Sequence, residues 1–155
     1  MILATLLGAI RDELAATVTA VGGRVYVAMD TAADLRPTDG TQLPYLVVAP
    51  GEATLDWRPG KVANVRYPIR VTAYVRNHRG VEDPLLGNTT YGETGLISLA
   101  QSVVGCLAMH HLAARVAGVE LAVPDGVSEP AYLAGEAWWA VTQTVRMRYE
   151  MTETV

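Results

Sequence analysis

The sequence predicts an α+β domain in which a mainly antiparallel sheet is packed on one face by two helices. Two stripes of apolar residues at three- and four-residue steps demand helices, and two long segments of strict alternation demand half-buried strands. Both strands carry the same pattern, apolar on one side and arginine-bearing on the other. Such strands suit neighbouring places in an antiparallel sheet, which can keep one face in water.

The first helical stripe is Ile2, Leu3, Leu6, Leu7, Ile10, Leu14, Val18 and Val21, with Arg11, Asp12 and Glu13 largely off it. It predicts an amphipathic helix over residues 2–20. Gly22-Gly23 ends the helix, because glycine readily takes the left-handed conformation of a C-cap. Arg24 to Met29 reads as a short strand. Residues 30–42 are polar and hold Pro37 and Asp39-Gly40, which makes them a loop. Leu43 to Ala49 is a buried strand with Pro44 near its entrance, and Glu52 to Trp57 is a further strand before a turn at Arg58-Pro59-Gly60.

From Asn64 to Asn77, Val65, Tyr67, Ile69, Val71, Ala73 and Val75 alternate with Arg66, Arg70, Thr72, Tyr74 and Arg76. Pro68 in this strand predicts an edge position or a bulge, since proline cannot donate to a ladder. The second alternating strand sets Trp139, Val141, Val145, Met147, Tyr149 and Met151 against Ala140, Thr142, Thr144, Arg146, Arg148 and Glu150, and Gln143 breaks its apolar face. Its length predicts that it bends or projects past its sheet. Between the two strands, Leu96, Leu99, Ala100, Val103, Val104 and Leu107 place the second helix within Gly92 to Ala114. The segment from Asn77 to Tyr91 is a long loop, of a kind often functional. Val116 to Val123 reads as a strand followed by a turn at Pro124-Asp125-Gly126. No repeat, charge block or linker interrupts the chain, so residues 1–155 are read as one domain.

Half of the 155 residues are hydrophobic and 18% are charged, which sets the chain apart from disordered sequences. A net charge of −4 supplies no general field for nucleic acid or an anionic membrane. The start is apolar but has no basic leader and runs into Arg11, Asp12 and Glu13, so no export signal is expected and the chain is read as cytoplasmic when made. The single cysteine, Cys106, lies in an apolar stretch and reads as a small buried hydrophobe.

The residues suggest no catalysis. His110-His111 could supply metal ligands, but adjacent helical residues diverge and no HExxH or Cys/His spacing accompanies them. A histidine pair suits a helix C-terminus, and His78 has no partner motif. Gly92-Glu93-Thr94-Gly95 lacks the phosphate-loop pattern and reads as ordinary helix capping. Asp12-Glu13 and Glu82-Asp83 have no convergent partners for acid–base work. Asn88-Thr89-Thr90 matches a glycosylation sequon, which carries no meaning without export. The chain is therefore read as no enzyme, with no catalytic residue, no metal and no cofactor.

The most informative polar pattern is the arginine face: Arg66, Arg70 and Arg76 on one strand, Arg146 and Arg148 on the other. Such a face is either a solvated sheet surface or an interface. Arginine is enriched where subunits meet, and Tyr74 and Trp138 are read as exposed aromatics beside it. Glu82 and Asp83, or acids on another protein, are candidate counter-charges. The few lysines and the negative total argue against specific nucleic-acid binding.

Taken together, the N-terminal helix, Gly22-Gly23-Arg24-Val25-Tyr26, the strand Leu43-Pro44-Tyr45-Leu46-Val47-Val48, the strand from Arg66 to Val75, the helix after the long loop and the ending Thr144 to Glu150 resemble the tail-terminator, or tail-completion, proteins of long-tailed bacteriophages and prophages. The resemblance covers most of the chain and transfers no residue role. It implies a non-enzymatic virion protein that caps the tail tube as a homo-oligomeric ring, usually a hexamer. The partners implied are other copies of itself, the tail-tube protein, and a head-tail connector or head-completion protein, with no membrane and with DNA at most passing through the ring. The implied place is the head-proximal end of the virion tail, after assembly in the host cytoplasm. A head-tail connector or head-completion protein is the alternative, and a small ligand-binding or enzymatic domain is the rival from another class.

Overall fold

The computed structural model describes residues 2–29, 43–76, 82–108, 119–132 and 140–154. Along the chain run α1 (Leu3–Thr17), β1 (Val25–Val27), β2 (Tyr45–Pro50), β3 (Thr54–Arg58), β4 (Val62–Arg76), α2 (Asp83–Leu86), α3 (Leu96–Leu107), β5 (Val119–Val127), β6 (Ala131–Tyr132) and β7 (Ala140–Thr154). The strands form one sheet in the order β1-β2-β4-β7-β5, with β3 beside β4 and β6 beside β7. All pairings are antiparallel except β1 with β2. This is the α+β, mainly antiparallel architecture that the periodicities predict.

β4 and β7 form the axis of the sheet, paired from Val62↔Thr154 through Arg76↔Ala140. Both strands are central, which corrects two expectations. β7 is paired along its whole length and does not project alone. Pro68 lies in a central strand and not at an edge. It is tolerated because β3 pairs only as far as Arg66 and β2 begins at Ile69, so the outer side of β4 changes partner at Pro68. The Pro68 carbonyl accepts from the Gly51 amide at 2.7 Å on that side. In an antiparallel strand the N–H and C=O of one residue point the same way, so the missing donor faces the gap between β2 and β3.

The core lies between the sheet and the helices. Leu6, Ile10, Leu14 and Val18, each four residues after the last, are buried on α1 and its C-cap. Leu7, which the stripe includes, is only half-buried. α1 ends at Thr17, and Thr19–Val21 form a separate 3-10 turn closed by left-handed Gly22. From α3, Leu96, Leu99, Val103, Cys106 and Leu107 meet Val65, Tyr67, Ile69, Val71, Val145, Met147, Tyr149 and Met151 in one cluster. Cys106 is thus the small buried hydrophobe expected. Burial of this stripe in close packing is the main stabilising term.

Two stretches read as irregular have local structure. Within 77–91, Asp83–Leu86 form a short helix and Thr89–Tyr91 a 3-10 turn. Asn88 joins them, accepting from the Thr90 amide and donating from Nδ2 to Asp83 Oδ2 at 3.1 Å. At the start of α3, a Cβ on Gly95 would overlap the Leu85 carbonyl oxygen, so the glycine is a steric requirement of α2 packing on α3. Pro124-Asp125-Gly126 is not a turn. β5 continues through it with a register shift between Pro124 and Gly126, which makes Asp125 the extra residue of a bulge.

Candidate functional site

The arginine face is the side of the sheet away from α1 and α3. Strand parity places Arg66, Pro68, Arg70 and Thr72 of β4 there, and the β4–β7 register sets them opposite Glu150, Arg148, Arg146 and Thr144. The sequence-predicted arginines are therefore brought together. At the centre of the face the Thr72 and Thr144 hydroxyls share a 2.9 Å hydrogen bond.

The counter-charges come from the sheet itself. Arg66 Nε lies 3.4 Å from Glu150 Oε1, Arg148 Nε lies 3.2 Å from the same oxygen, and Arg148 Nη1 lies 3.4 Å from Asp125 Oδ1. Asp125 reaches the arginine because the bulge adds it to β5. The expectation that Glu82 and Asp83 neutralise these arginines is corrected: Asp83 is engaged by Asn88, and neither acid forms an ion pair with an arginine among the described residues. At the Arg66 end Asp56, Glu120 and Glu150 line a cleft of about 190 Å³, and Thr152 donates to Glu120 at 2.7 Å. The face is thus mixed in charge, and its ion pairs are half-exposed and individually weak.

Tyr74 is not an exposed aromatic. It is 1% exposed, in a second cluster with Leu43, Tyr45, Val47 and Ala140 on the same side of the sheet as the arginines. Its ring stacks on Tyr45 at 4.6 Å, and Tyr26 meets Tyr45 edge-on at 5.8 Å. Burial foremost, then the neighbouring phenols of Tyr74 and Tyr26, push the Tyr45 hydroxyl well above its usual value. Alternation assigns Tyr74 to the correct face but does not reveal that this end of the face is apolar and covered. Arg76 is exposed at the end of β4. Trp138, His78, His110 and His111 lie outside the described residues.

Tyr26 is 41% exposed at the edge of this cluster, and further exposed apolar residues lie on β3 and beside α3. Trp57 is 60% exposed on β3, with Leu55 beside it on the same strand face. Their alternation with Asp56 was the available signal. A second apolar surface is a groove of about 440 Å³ between α3 and β5, lined by Ile97, Ala100, Val104 and Val127 with Gln101 and Gln143. Among the described residues no group of His, Cys, Asp and Glu is placed to hold a metal ion, and no helix is long and apolar enough to cross a membrane.

No family model and no curated protein matches this chain. Among solved structures, the fold is similar to that of a chain in the virion of a native gene transfer agent particle. The TM-score is 0.58 at 15% sequence identity, over 96% of this chain and 95% of that one.

Proposed function

We propose that this chain is a non-enzymatic virion assembly protein of the tail-terminator type, forming a ring of identical subunits that caps the tail tube and joins tail to head. The observation that carries this reading is the shared fold with a virion chain over nearly the full length of both proteins. The resemblance of the order of elements to tail terminators supports this role within the virion. The surface is compatible with assembly work. Two central 15-residue strands give a rigid platform, and exposed Trp57, the α3–β5 groove and the arginine face offer distinct surfaces. A ring requires such unlike surfaces, because head-to-tail contacts join two different patches. The partners under this reading are further copies of the chain, the tail-tube protein and a connector at the head, with Arg66, Arg70, Arg146 and Arg148 within one of the interfaces.

The test is electron microscopy of tail tubes incubated with the purified chain. A ring on one tube end is expected. Tubes left bare, with the chain found instead on DNA-filled heads, would favour the head-completion alternative.

A further inference from the structure

Arg70 and Arg146 are register partners in the middle of β4 and β7. Both line an open cleft of about 710 Å³ together with Gly51, Glu52, Pro68 and Asp125. Their neighbours on this face are neutralised, Arg66 by Glu150 and Arg148 by Glu150 and Asp125. Arg70 and Arg146 have no ion-pair partner among the described residues, and the Arg70 Nε, like that of Arg148, is buried without a hydrogen-bond acceptor. Like charges set opposite on adjacent strands repel, and a buried N–H without an acceptor is unfavourable. Arg146 also lies close over its β5 partner Gly126, where a Cβ would come within 2.9 Å of Nη2. Bare backbone there lets the Arg146 guanidinium sit low over β5, on the other side of the shared cleft from Arg70 on β4.

We propose that Arg70 and Arg146 clamp one carboxylate supplied by a second copy of this chain. The inference rests on the ring reading above and names a contact that would hold the ring. A carboxylate has two oxygens, and each can accept charge-assisted hydrogen bonds from one guanidinium. Another copy can supply it: 16 acidic residues against 12 basic ones leave carboxylates that no cation of the same chain neutralises. A phosphate backbone needs several cations along its track, whereas this cleft offers two arginines between Glu52 and Asp125, which suits a single carboxylate. The contact joins the arginine face of one copy to a different surface of the next, as a closed ring requires.

The test compares the full-length wild type with Arg70→Gln/Arg146→Gln, using Arg11→Gln on the exposed face of α1, where Arg11 pairs with Asp12, as the control, by sedimentation at physiological salt and by scoring rings on tail tubes. The double variant should keep its circular dichroism melt and associate more weakly by on the order of ten-fold or more, while Arg11→Gln associates as the wild type does. Should the glutamine pair fail to fold, Arg70→Lys/Arg146→Lys keeps the charge, removes the fork geometry and should also weaken association. Unchanged association in a folded double variant, or a wild type monomeric both alone and on tubes, overturns the clamp. Binding of duplex DNA by the wild type that the double variant loses also overturns it, reassigning the pair to phosphates. Tube capping retained by the double variant removes the clamp and leaves the terminator reading intact, whereas tubes left bare by the wild type remove that reading itself.

Discussion

The Tyr67 hydroxyl donates a 2.7 Å hydrogen bond to Glu153 Oε1, inside the end of the sheet where α1 begins. The same carboxylate oxygen accepts from the Ile2 amide at 3.0 Å, so one buried acid ties β4, β7 and the entry to α1 together. Glu153→Ala leaves the Tyr67 hydroxyl without its acceptor and is expected to cost about 1–3 kcal/mol. Tyr67→Phe leaves the buried carboxylate with the Ile2 amide alone and should also destabilise by about 1–3 kcal/mol. Denaturant melts of the two variants check this, and an unchanged midpoint in either would contradict it.

The buried tyrosines set an alkaline limit. Tyr149, Tyr67 and Tyr45 are all raised, in each case first by burial, with the Glu153 hydrogen bond adding at Tyr67. A phenol whose folded pKa exceeds its unfolded value stabilises the fold fully below the unfolded value of about 10, and that contribution is lost as pH rises from there through the folded value. Stability should therefore stay flat with respect to these groups up to about pH 9 and fall beyond about pH 10. In an absorbance titration they should ionise only as the chain unfolds. Ionisation of every tyrosine near its usual value in a folded chain would contradict the burial.

On α1, Leu6 is fully buried and Leu7 is not. Leu6→Ala should cost about 2–5 kcal/mol, and Leu7→Ala should cost clearly less. A denaturant midpoint unchanged by Leu6→Ala would show that the helix is peripheral.

Two glycines should respond in opposite directions. A Cβ on Gly8 meets nothing within 4 Å, so Gly8→Ala should stabilise α1 by about 0.5–1 kcal/mol. At Gly95 a Cβ would overlap backbone of the α2 segment, and Gly95→Ala should destabilise by about 1–3 kcal/mol. Thermal melts of the two variants shifting the same way would refute this packing of α2 on α3.

Periodicity made the helices, the two long strands and their adjacency legible, because a one-sided apolar pattern leaves few arrangements open. What it could not carry was context. Pro68 signals an edge only if its missing N–H needs a partner, and that depends on where β2 and β3 end. Pro124-Asp125-Gly126 has turn chemistry, which a bulge shares. Tyr74 has the parity of the arginines, yet parity does not say what covers each end of a face. The pairing of Arg66 with Glu150 follows from the strand register, and the pairing of Arg148 with Asp125 from the bulge. Neither register nor bulge can be read from one sequence, so the sequence alone points for counter-charges to acids outside the sheet, Glu82 and Asp83 among them.

Under the proposed terminator role, the chain stops tail-tube growth. The most direct measurement is the length distribution of tail tubes, seen by electron microscopy, assembled from tube protein with and without the full chain. A narrow distribution with a ring at one end is expected when the chain is present, and longer, uneven and ringless tubes when it is absent. Identical distributions in the two cases would contradict it.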